Sequence, residues 1–557
     1  MLEKIIIYQV LPRLFGNMNA SNVPNGSIEQ NGCGKMANFT PEVLRRIKDT
    51  GYTHIWYTGL LEHATQTDYS AYGIRPDHPA VVKGRAGSPY AVKDYYDIDP
   101  DLATDVPNRV KEFEDLVRRT HKAGLKVIMD FIPNHVARQY ASDAKPARVH
   151  DLGADDDTTR SFSPDNNFYY ILGQPLRTDF DTEKKSLHPY KEYPAKATGN
   201  DRFDASPTRN DWYETVKLNY GVDYLNGRTL HFDPVPDTWK KMTAILLHWA
   251  RRGVDGFRCD MAEMVPCEFW HYAIVQVKAR YPNVIFIAEI YNPGAYRDYI
   301  ALGGFDYLYD KVGLYDTLRA VCRGEVSAAC ITGCWQNLDD ILPHMLYFLE
   351  NHDEQRIASP FYAGDARRAF PALVVAATMG TGPFMVYSGQ EIGEPGMDAE
   401  GFSGTDGRTS IFDYWSPASG RALAQGPAAF TPRQADVYAY YQRLLRLLRS
   451  EEALRVGNFF DLMYANYDRA TPFDPDHHYA YLRRSPRQTL LIVANFADAP
   501  VNAGIRIPAH AFQMLQLRAG TTAAIDLLTG ETQTLRLQPD AHTYVALQPR
   551  GAVILQL

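Results

Sequence analysis

Eight short apolar runs, separated by segments with helical periodicity, constrain the fold of this chain more than any other sequence feature. The runs are rich in β-branched and aromatic residues and are almost continuously apolar. This pattern is typical of parallel strands that are buried on both faces. In chain order the runs are IIIYQV (5–10), THIWYT (53–58), KVIMDFI (126–132), GFRCD (256–260), VIFIAEI (284–290), FDYLYD (305–310), HMLYFLE (344–350) and PFMVYSG (383–389).

The segments between the runs carry signals for helix starts and stops. In one of them, Thr40 and Pro41 suit the N-cap and the first helical position, and Gly51 suits the end. Eight strands that alternate with helices predict a (β/α)8 TIM barrel, an α/β fold. A doubly wound open sheet is the structural alternative. It usually has fewer strands, and no glycine-rich phosphate loop follows the first run.

Two segments break this alternation. Residues 136–230 are rich in Asp, Asn, Pro, Lys and Tyr and show no period. A loop of that length is rarely structureless inside a compact domain, so we expect an inserted subdomain after the third strand. Short strands separated by turn residues follow near the C-terminus and predict an antiparallel β-sandwich domain. The expected division is barrel 1–135, inserted subdomain 136–230, barrel 231–452 and C-terminal β-domain 453–557.

Composition and charge argue against several classes of function. The chain has 557 residues, a formal net charge of −8 and no Lys/Arg run, so a nucleic-acid partner is not supported. No apolar stretch is long enough to span a membrane, and the N-terminus lacks the features of a signal peptide. The six cysteines form no metal-like CxxC pair, which favours free thiols in a reducing compartment. We therefore expect a cytoplasmic protein, and the oligomeric state stays open.

Three carboxylates follow predicted strands. Asp260 closes GFRCD, Glu289 lies near the end of VIFIAEI, and Asp353 stands in ENHD after HMLYFLE. Barrel enzymes carry their chemistry where strands end and loops begin. Retaining hydrolysis of a glycosidic bond needs one carboxylate to attack the sugar and a second carboxyl to protonate the leaving oxygen. A single Asp at a strand end would more simply be a helix cap or a solvated loop residue, but three in order favour a catalytic site.

Four motifs, DFIPNH (130–135), GFRCD (256–260), FIAEI (286–290) and ENHD (350–353), resemble the signature regions of the α-amylase family and occur in the family's order. The resemblance implies a retaining α-glycosidase that acts on α-1,4-linked glucose polymers or maltooligosaccharides. An α-glucan transglycosylase of the 4-α-glucanotransferase or maltosyltransferase type shares the first chemical step and stays open. A non-catalytic carbohydrate-binding relative is disfavoured, because all three carboxylates are present. Endo or exo action, chain-length preference and α-1,4 or α-1,6 preference are not determined.

The resemblance implies a role for each carboxylate. Asp260 would be the nucleophile that forms a glycosyl-enzyme intermediate, and Glu289 would be the general acid/base. Asp353 would bind sugar hydroxyls and favour the distorted ring. Arg258 precedes Asp260 by two positions on the same strand, so both side chains point to the same side. Its guanidinium would there keep the nucleophile ionised.

The resemblance also implies three substrate-binding residues. His135 and His352 match the residues that donate hydrogen bonds to the hydroxyls of the sugar being cleaved. Tyr90 matches a tyrosine whose ring covers the apolar face of that sugar. A buried core histidine is the alternative interpretation of His135, and the neighbours of Tyr90 depart from the family pattern, with Ser88 and Pro89 in place of His-Gly.

Asn134 matches a calcium ligand of the family. Lys217, in TVKLNY, stands where the family carries an aspartate ligand. Calcium prefers several oxygen ligands, often carboxylates, and a lysine ammonium can replace the charge of the ion. We therefore expect no cofactor and no calcium ion at this position. Asn134 would then tie down the start of the inserted subdomain.

Overall fold

A closed barrel of eight parallel strands forms the centre of the computed structural model, which describes residues 3–178, 189–397, 399–402 and 404–557. Each strand pairs with its neighbours in chain order, and the last pairs with the first. The predicted barrel is confirmed, and each predicted run contains one strand. The strands are β1 (Ile6–Val10), β2 (His54–Tyr57), β3 (Lys126–Phe131), β4 (Gly256–Cys259), β5 (Ile285–Ala288), β6 (Tyr307–Tyr309), β7 (Met345–Phe348) and β8 (Phe384–Tyr387).

At least one helix follows every barrel strand. The helix after β1 begins as the sequence predicts, because the Thr40 hydroxyl accepts a hydrogen bond from the Val43 amide at 3.3 Å. The helices are α1 (Ile28–Asn31), α2 (Pro41–Thr50), α3 (Arg109–Lys122), α4 (Asp237–Ala250), α5 (Cys267–Arg280), α6 (Tyr296–Ala301), α7 (Asp316–Cys322), α8 (Cys330–Leu338), α9 (Phe370–Thr378), α10 (Ala418–Gln425), α11 (Pro432–Ser450), α12 (Glu452–Val456) and α13 (Ala509–Leu515).

The long connection between β3 and α4 contains short antiparallel pairs of strands. The pair nearest to the barrel joins His135–Ala137 to Thr215–Lys217, with His135 opposite Lys217. The other pairs are Tyr170–Ile171 with Ala195–Lys196 and Val222–Asp223 with Thr229–Leu230. A further pair, Leu61–His63 with Val92–Ile98, lies in the connection after β2.

The C-terminal region is built from antiparallel strands, as predicted. A six-stranded sheet has the order β9-β10-β11-β16-β13-β14, and β12 pairs with β15. Among the described residues, no helix has both the length and the apolar character needed to cross a membrane. The strands are β9 (Asn458–Asp461), β10 (His478–Arg484), β11 (Thr489–Asn495), β12 (Val501–Arg506), β13 (Gly520–Asp526), β14 (Thr532–Leu537), β15 (His542–Leu547) and β16 (Ala552–Gln556).

Candidate active site

The predicted site residues meet at one cavity at the carboxyl ends of the barrel strands. Asp260 directly follows β4, Glu289 directly follows β5, and Asp353 lies five positions beyond the end of β7. Parallel strands that close a barrel bring these ends together. The cavity has a volume of about 250 Å³. Six of the seven predicted side chains line it, namely Tyr90, His135, Asp260, Glu289, His352 and Asp353.

The seventh, Arg258, is a buried residue that contacts the carboxylates directly. Its Nη1 donates to Asp260 Oδ1 at 2.6 Å, and its Nη2 lies 2.9 Å from Glu289 Oε2. Asp130 Oδ1 is 3.6 Å from Nη1. The side chain is only 1% exposed, so these charges interact with little screening by solvent. One planar guanidinium therefore holds Asp260 and Glu289 beside each other.

Glu289 is also oriented by two neutral donors. The hydroxyl of Tyr291 donates to Oε1 at 2.6 Å, and the backbone amide of Met261 donates to Oε2 at 2.8 Å. Met261 has φ +43°, in the left-handed region that non-glycine residues seldom adopt. Such conformations cluster at functional sites. Here the turn after β4 places the Met261 N–H within hydrogen-bond distance of the Glu289 carboxylate, which follows β5.

The electrostatic environment of Asp260 differs from the sequence expectation. Burial, and next the charge of Glu289, raise the pKa of the Asp260 carboxyl well above its ordinary value, although Arg258 acts in the opposite direction. The net change in the pKa of Asp260 is therefore opposite to the one that the guanidinium alone would produce.

Asp353 lies in a different electrostatic environment. Burial tends to raise the pKa of its carboxyl, but the neighbouring His352, together with Arg258 and Arg408, outweighs this effect, and the pKa is lowered. His352 Nε2 lies 3.0 Å from Asp353 Oδ2, and the Gln9 amide lies 2.8 Å from the other ring nitrogen. Enzymes commonly give carboxyl groups different roles by placing them in environments that shift their pKa values in opposite directions.

Tyr90 lines the cavity and contacts Asp130, a carboxylate to which the sequence analysis assigns no role. The ring stacks on that of His352, with centroids 5.0 Å apart and planes at 16°. The Tyr90 hydroxyl donates to Asp130 Oδ1 at 3.3 Å, and the indole of Trp56 donates to Asp130 Oδ2 at 2.9 Å. Burial raises the pKa of Asp130. Its place in the motif DFIPNH was the signal that could have identified it.

Three further cavity residues come from loops that carry no motif. Lys83 Nζ forms an ion pair with Glu214 Oε1 at 3.0 Å, and Trp212 lies with its ring 5.2 Å from that of His135. All three line the cavity. Burial, followed by the charges of Lys217 and Lys83, lowers the pKa of His135 to about 3, so its imidazole is neutral at ordinary pH. No sequence signal marks Lys83, Trp212 or Glu214.

The position of the family calcium site holds an ammonium group. Lys217 Nζ donates to Asn134 Oδ1 at 2.5 Å and lies 2.5 Å from Asp201 Oδ1. Asn134 in turn donates to the carbonyl of Gly199 at 2.7 Å, which ties β3 to the inserted segment. A cation already occupies the oxygens that a calcium ion would need, so these residues do not fit the ion. The absence of calcium here stays a prediction.

The chain resembles known proteins in sequence and in fold. The family model for the α-amylase catalytic domain matches residues 9–285. A cyclomaltodextrinase from Geobacillus thermopakistaniensis is 23% identical over 99% of this chain and 77% of its own length. An α-1,4-glucan:maltose-1-phosphate maltosyltransferase from Pseudomonas aeruginosa is 24% identical over 54% of this chain and 46% of its own length. The structure of a maltogenic α-amylase from Thermotoga neapolitana matches with a TM-score of 0.63 at 19% identity, over 99% of this chain and 98% of that one.

A closed (β/α)8 barrel with carboxylates grouped at the carboxyl ends of its strands is an arrangement typical of barrel enzymes of the glycoside hydrolase class. The family model over residues 9–285, together with the relatives that match this chain, makes the assignment specific: the chain belongs to the α-amylase family. It is an enzyme of that family, a glycosidase or a transglycosylase.

Proposed function

We propose that this enzyme is a retaining α-glycosidase that hydrolyses α-1,4-glucosidic bonds in starch, glycogen or maltooligosaccharides. The observation that carries the proposal is the shared contact of Asp260 and Glu289 with one guanidinium, that of Arg258. A double displacement needs a nucleophile and an acid/base close together on one side of the sugar, about 5–5.5 Å apart. Two carboxylates that contact one buried guanidinium are held close together, which supports this proposal.

The reaction follows from the placement of these groups. In the first step Asp260 attacks the anomeric carbon, and Glu289 gives its proton to the leaving oxygen. The first product leaves, and the sugar stays bonded to Asp260. In the second step Glu289 takes a proton from a water molecule, which attacks the same carbon and releases Asp260. Asp353, with His352, would bind hydroxyls of the reacting sugar, and Tyr90 would cover its apolar face.

Transglycosylation is the second candidate function. The maltosyltransferase relative favours it, because a transferase shares the first step and differs only in the acceptor of the second. The contacts of Asp260 and Glu289 support both reactions equally. A non-catalytic carbohydrate-binding role has less support, because such proteins are expected to lose one of the carboxylates that this cavity retains.

Product analysis on maltoheptaose, soluble starch and isomaltose tests the proposal. We expect release of reducing ends from the two α-1,4 substrates by the native enzyme and its loss in Asp260→Asn. Asp436→Asn, a change at an exposed position of α11, is the matched control and should keep native activity. Redistribution of maltoheptaose into shorter and longer chains without new reducing ends would instead identify a transferase. Equal activity in Asp260→Asn and the native enzyme would contradict the assignment of the nucleophile.

A further inference from the structure

Four carboxylates converge outside the catalytic cavity, on the hairpin that follows β2. Glu62 and Asp94 stand directly opposite each other on the paired strands Leu61–His63 and Val92–Ile98. Asp97 lies on the second of these strands, and Asp143 comes from the segment after β3. One carboxylate oxygen from each of the four lies within 4.8 Å of those of the other three. None of these four residues lines the catalytic cavity.

Three of the four carboxylates are almost completely buried. The side chain of Glu62 is 2% exposed, that of Asp97 is 1% exposed, and Asp94 is fully buried. Asp143 is exposed and forms the open side of the group. A buried carboxylate is costly unless it is paired with a cation or hydrogen-bonded. The burial of three such groups together therefore requires compensation.

The cationic side chains in contact with the group do not balance its charge. Arg109 binds both oxygens of Asp97, with Nε 2.9 Å from Oδ1. The ammonium of Lys93 lies 4.0 Å from Glu62 Oε1 but 3.0 Å from Asp77 Oδ2, so Asp77 is its main partner. With Asp77 included, five carboxyl groups have two cations, Lys93 and Arg109, at ion-pair distance in the described part of the chain. If every carboxyl is ionised, the formal excess is three negative charges.

Glu62 supplies a separate observation that points to a ligand. Its Oε2 is buried and has no hydrogen-bond partner among the described residues. The oxygens of Asp94, by contrast, accept from the backbone amides of Tyr96, Asp143 and Ala144 at 2.7, 2.9 and 3.0 Å. Like charges directly opposite each other on paired strands are destabilising. An unpartnered carboxylate oxygen at such a position is available as a ligand for a cation.

We propose that Glu62, Asp94, Asp97 and Asp143 form a binding site for a calcium ion. Oxygens that bind one calcium ion at 2.3–2.6 Å lie at most about 5 Å apart, which the spacing of these four satisfies. Water molecules would complete the six to eight ligands that calcium takes. Magnesium requires a near-ideal octahedron and usually keeps most of its water, so it fits four fixed carboxylates less well. The proposal does not depend on the proposed catalytic function.

The ion would have a structural effect. Asp143 lies in the segment that leads from β3 into the long insertion, and its amide already contacts Asp94. A calcium ion would fasten this segment to the hairpin after β2 and would remove the repulsion between Glu62 and Asp94. Binding should therefore stabilise the folded enzyme rather than take part in catalysis.

Calorimetric titration of the full-length, chelator-treated enzyme with calcium chloride tests the proposal, with the melting temperature as a second readout. We expect one ion per chain and a rise in the melting temperature of at least about 2 °C at saturation. Asp143→Asn should weaken binding by at least about tenfold, and Glu62→Gln should abolish it. Because Asp143 is exposed, its variant should fold normally. In the presence of chelator, Glu62→Gln should melt no lower than the native enzyme.

Asp201→Asn, a change beside Lys217, is the matched control and should bind calcium as the native enzyme does. The proposal is overturned if the native enzyme shows neither heat of binding nor a change in melting temperature. It is also overturned if both Glu62→Gln and Asp143→Asn retain native affinity, since the ion would then lie elsewhere. Equal or tighter binding of magnesium would contradict the choice of calcium.

Discussion

At the scale of the residue, Arg258 organises the candidate active site. The guanidinium contacts Asp260 and Glu289 through different nitrogens, and it lies 3.6 Å from Asp130. A separate pair, His352 and Asp353, has the opposite electrostatic character, because the pKa of Asp353 is lowered while that of Asp260 is raised. The site therefore differentiates chemically identical carboxyl groups by their neighbours.

Replacement of Arg258 by lysine should test how its guanidinium affects the rate and the ionisation of Asp260. Lysine keeps the charge but cannot contact two carboxylates through a planar fork. Loss of a buried charge-assisted hydrogen bond costs about 2–3 kcal/mol, so we expect kcat/KM to fall by about a hundredfold. Arg258 lowers the pKa of Asp260 partly through its direct hydrogen bond, so a lysine that keeps the charge but not this bond should leave the pKa higher. The acidic limb of the kcat/KM profile should move to higher pH, because attack needs the ionised carboxylate.

The measurement is the pH dependence of kcat/KM on maltoheptaose. Arg209→Lys, a change at an exposed position, should leave both the rate and the profile unchanged. An acidic limb that stays in place in Arg258→Lys would mean that Arg258 does not influence the ionisation of the nucleophile.

Tyr90 allows the ring and the hydroxyl to be tested separately. Removal of the ring in Tyr90→Ala should lower kcat/KM by about tenfold, because an aromatic contact contributes about 0.5–1.5 kcal/mol. Tyr90→Phe keeps the ring and removes only the 3.3 Å hydrogen bond to Asp130, so it should retain most of the activity. Steady-state kinetics of the two variants give the comparison. Equal losses in both would assign the role to the hydroxyl rather than to stacking.

At the scale of the element, the two site residues that directly follow a barrel strand could be predicted from the strand pattern. Asp260 and Glu289 follow apolar runs with a clear pattern, so the sequence predicted both their place and their mutual proximity. Lys83, Trp212 and Glu214 lie in segments without a period, and their position in the cavity depends on long-range packing. Local patterns carry no information about such contacts.

The barrel is joined to its insertion by the antiparallel pair of His135–Ala137 with Thr215–Lys217. Lys217 stabilises this junction through its contact with Asn134. Lys217→Met would leave Asn134 Oδ1 without its cation, which is a cost of about 1–3 kcal/mol. We therefore expect a lower melting temperature and faster hydrogen exchange at the amides of this pair. Lys240→Met, a change at an exposed position of α4, is the matched control.

The Lys217 variant also distinguishes calcium binding at the Glu62 cluster from calcium binding at Asn134. The calcium-induced rise in melting temperature that we predict for the Glu62 cluster should be equal in Lys217→Met and in the native enzyme. A larger calcium response in Lys217→Met would show that the oxygens of Asn134 and Asp201 bind the ion once the ammonium is removed.

At the scale of the whole molecule, the order of the barrel strands could be predicted because each strand is apolar, short and followed by a helix. The antiparallel C-terminal region could be predicted from its closely spaced turns. The sequence did not predict how the connection after β2 and the insertion after β3 meet at Glu62 and Asp143, because the two segments are far apart in the chain. The sequence also predicted that Arg258 lowers the pKa of Asp260. It did not predict the larger, opposite effect of burial on this pKa, because burial depends on the folded cavity.

The most direct test of the central claim is the configuration of the first product, followed by proton NMR during the early hydrolysis of maltoheptaose. Double displacement through Asp260 and Glu289 predicts that the new reducing end appears first as the α-anomer and reaches the equilibrium mixture only later by mutarotation. First appearance of the β-anomer would mean a single displacement by water. That result would contradict the assignment of Asp260 as a covalent nucleophile.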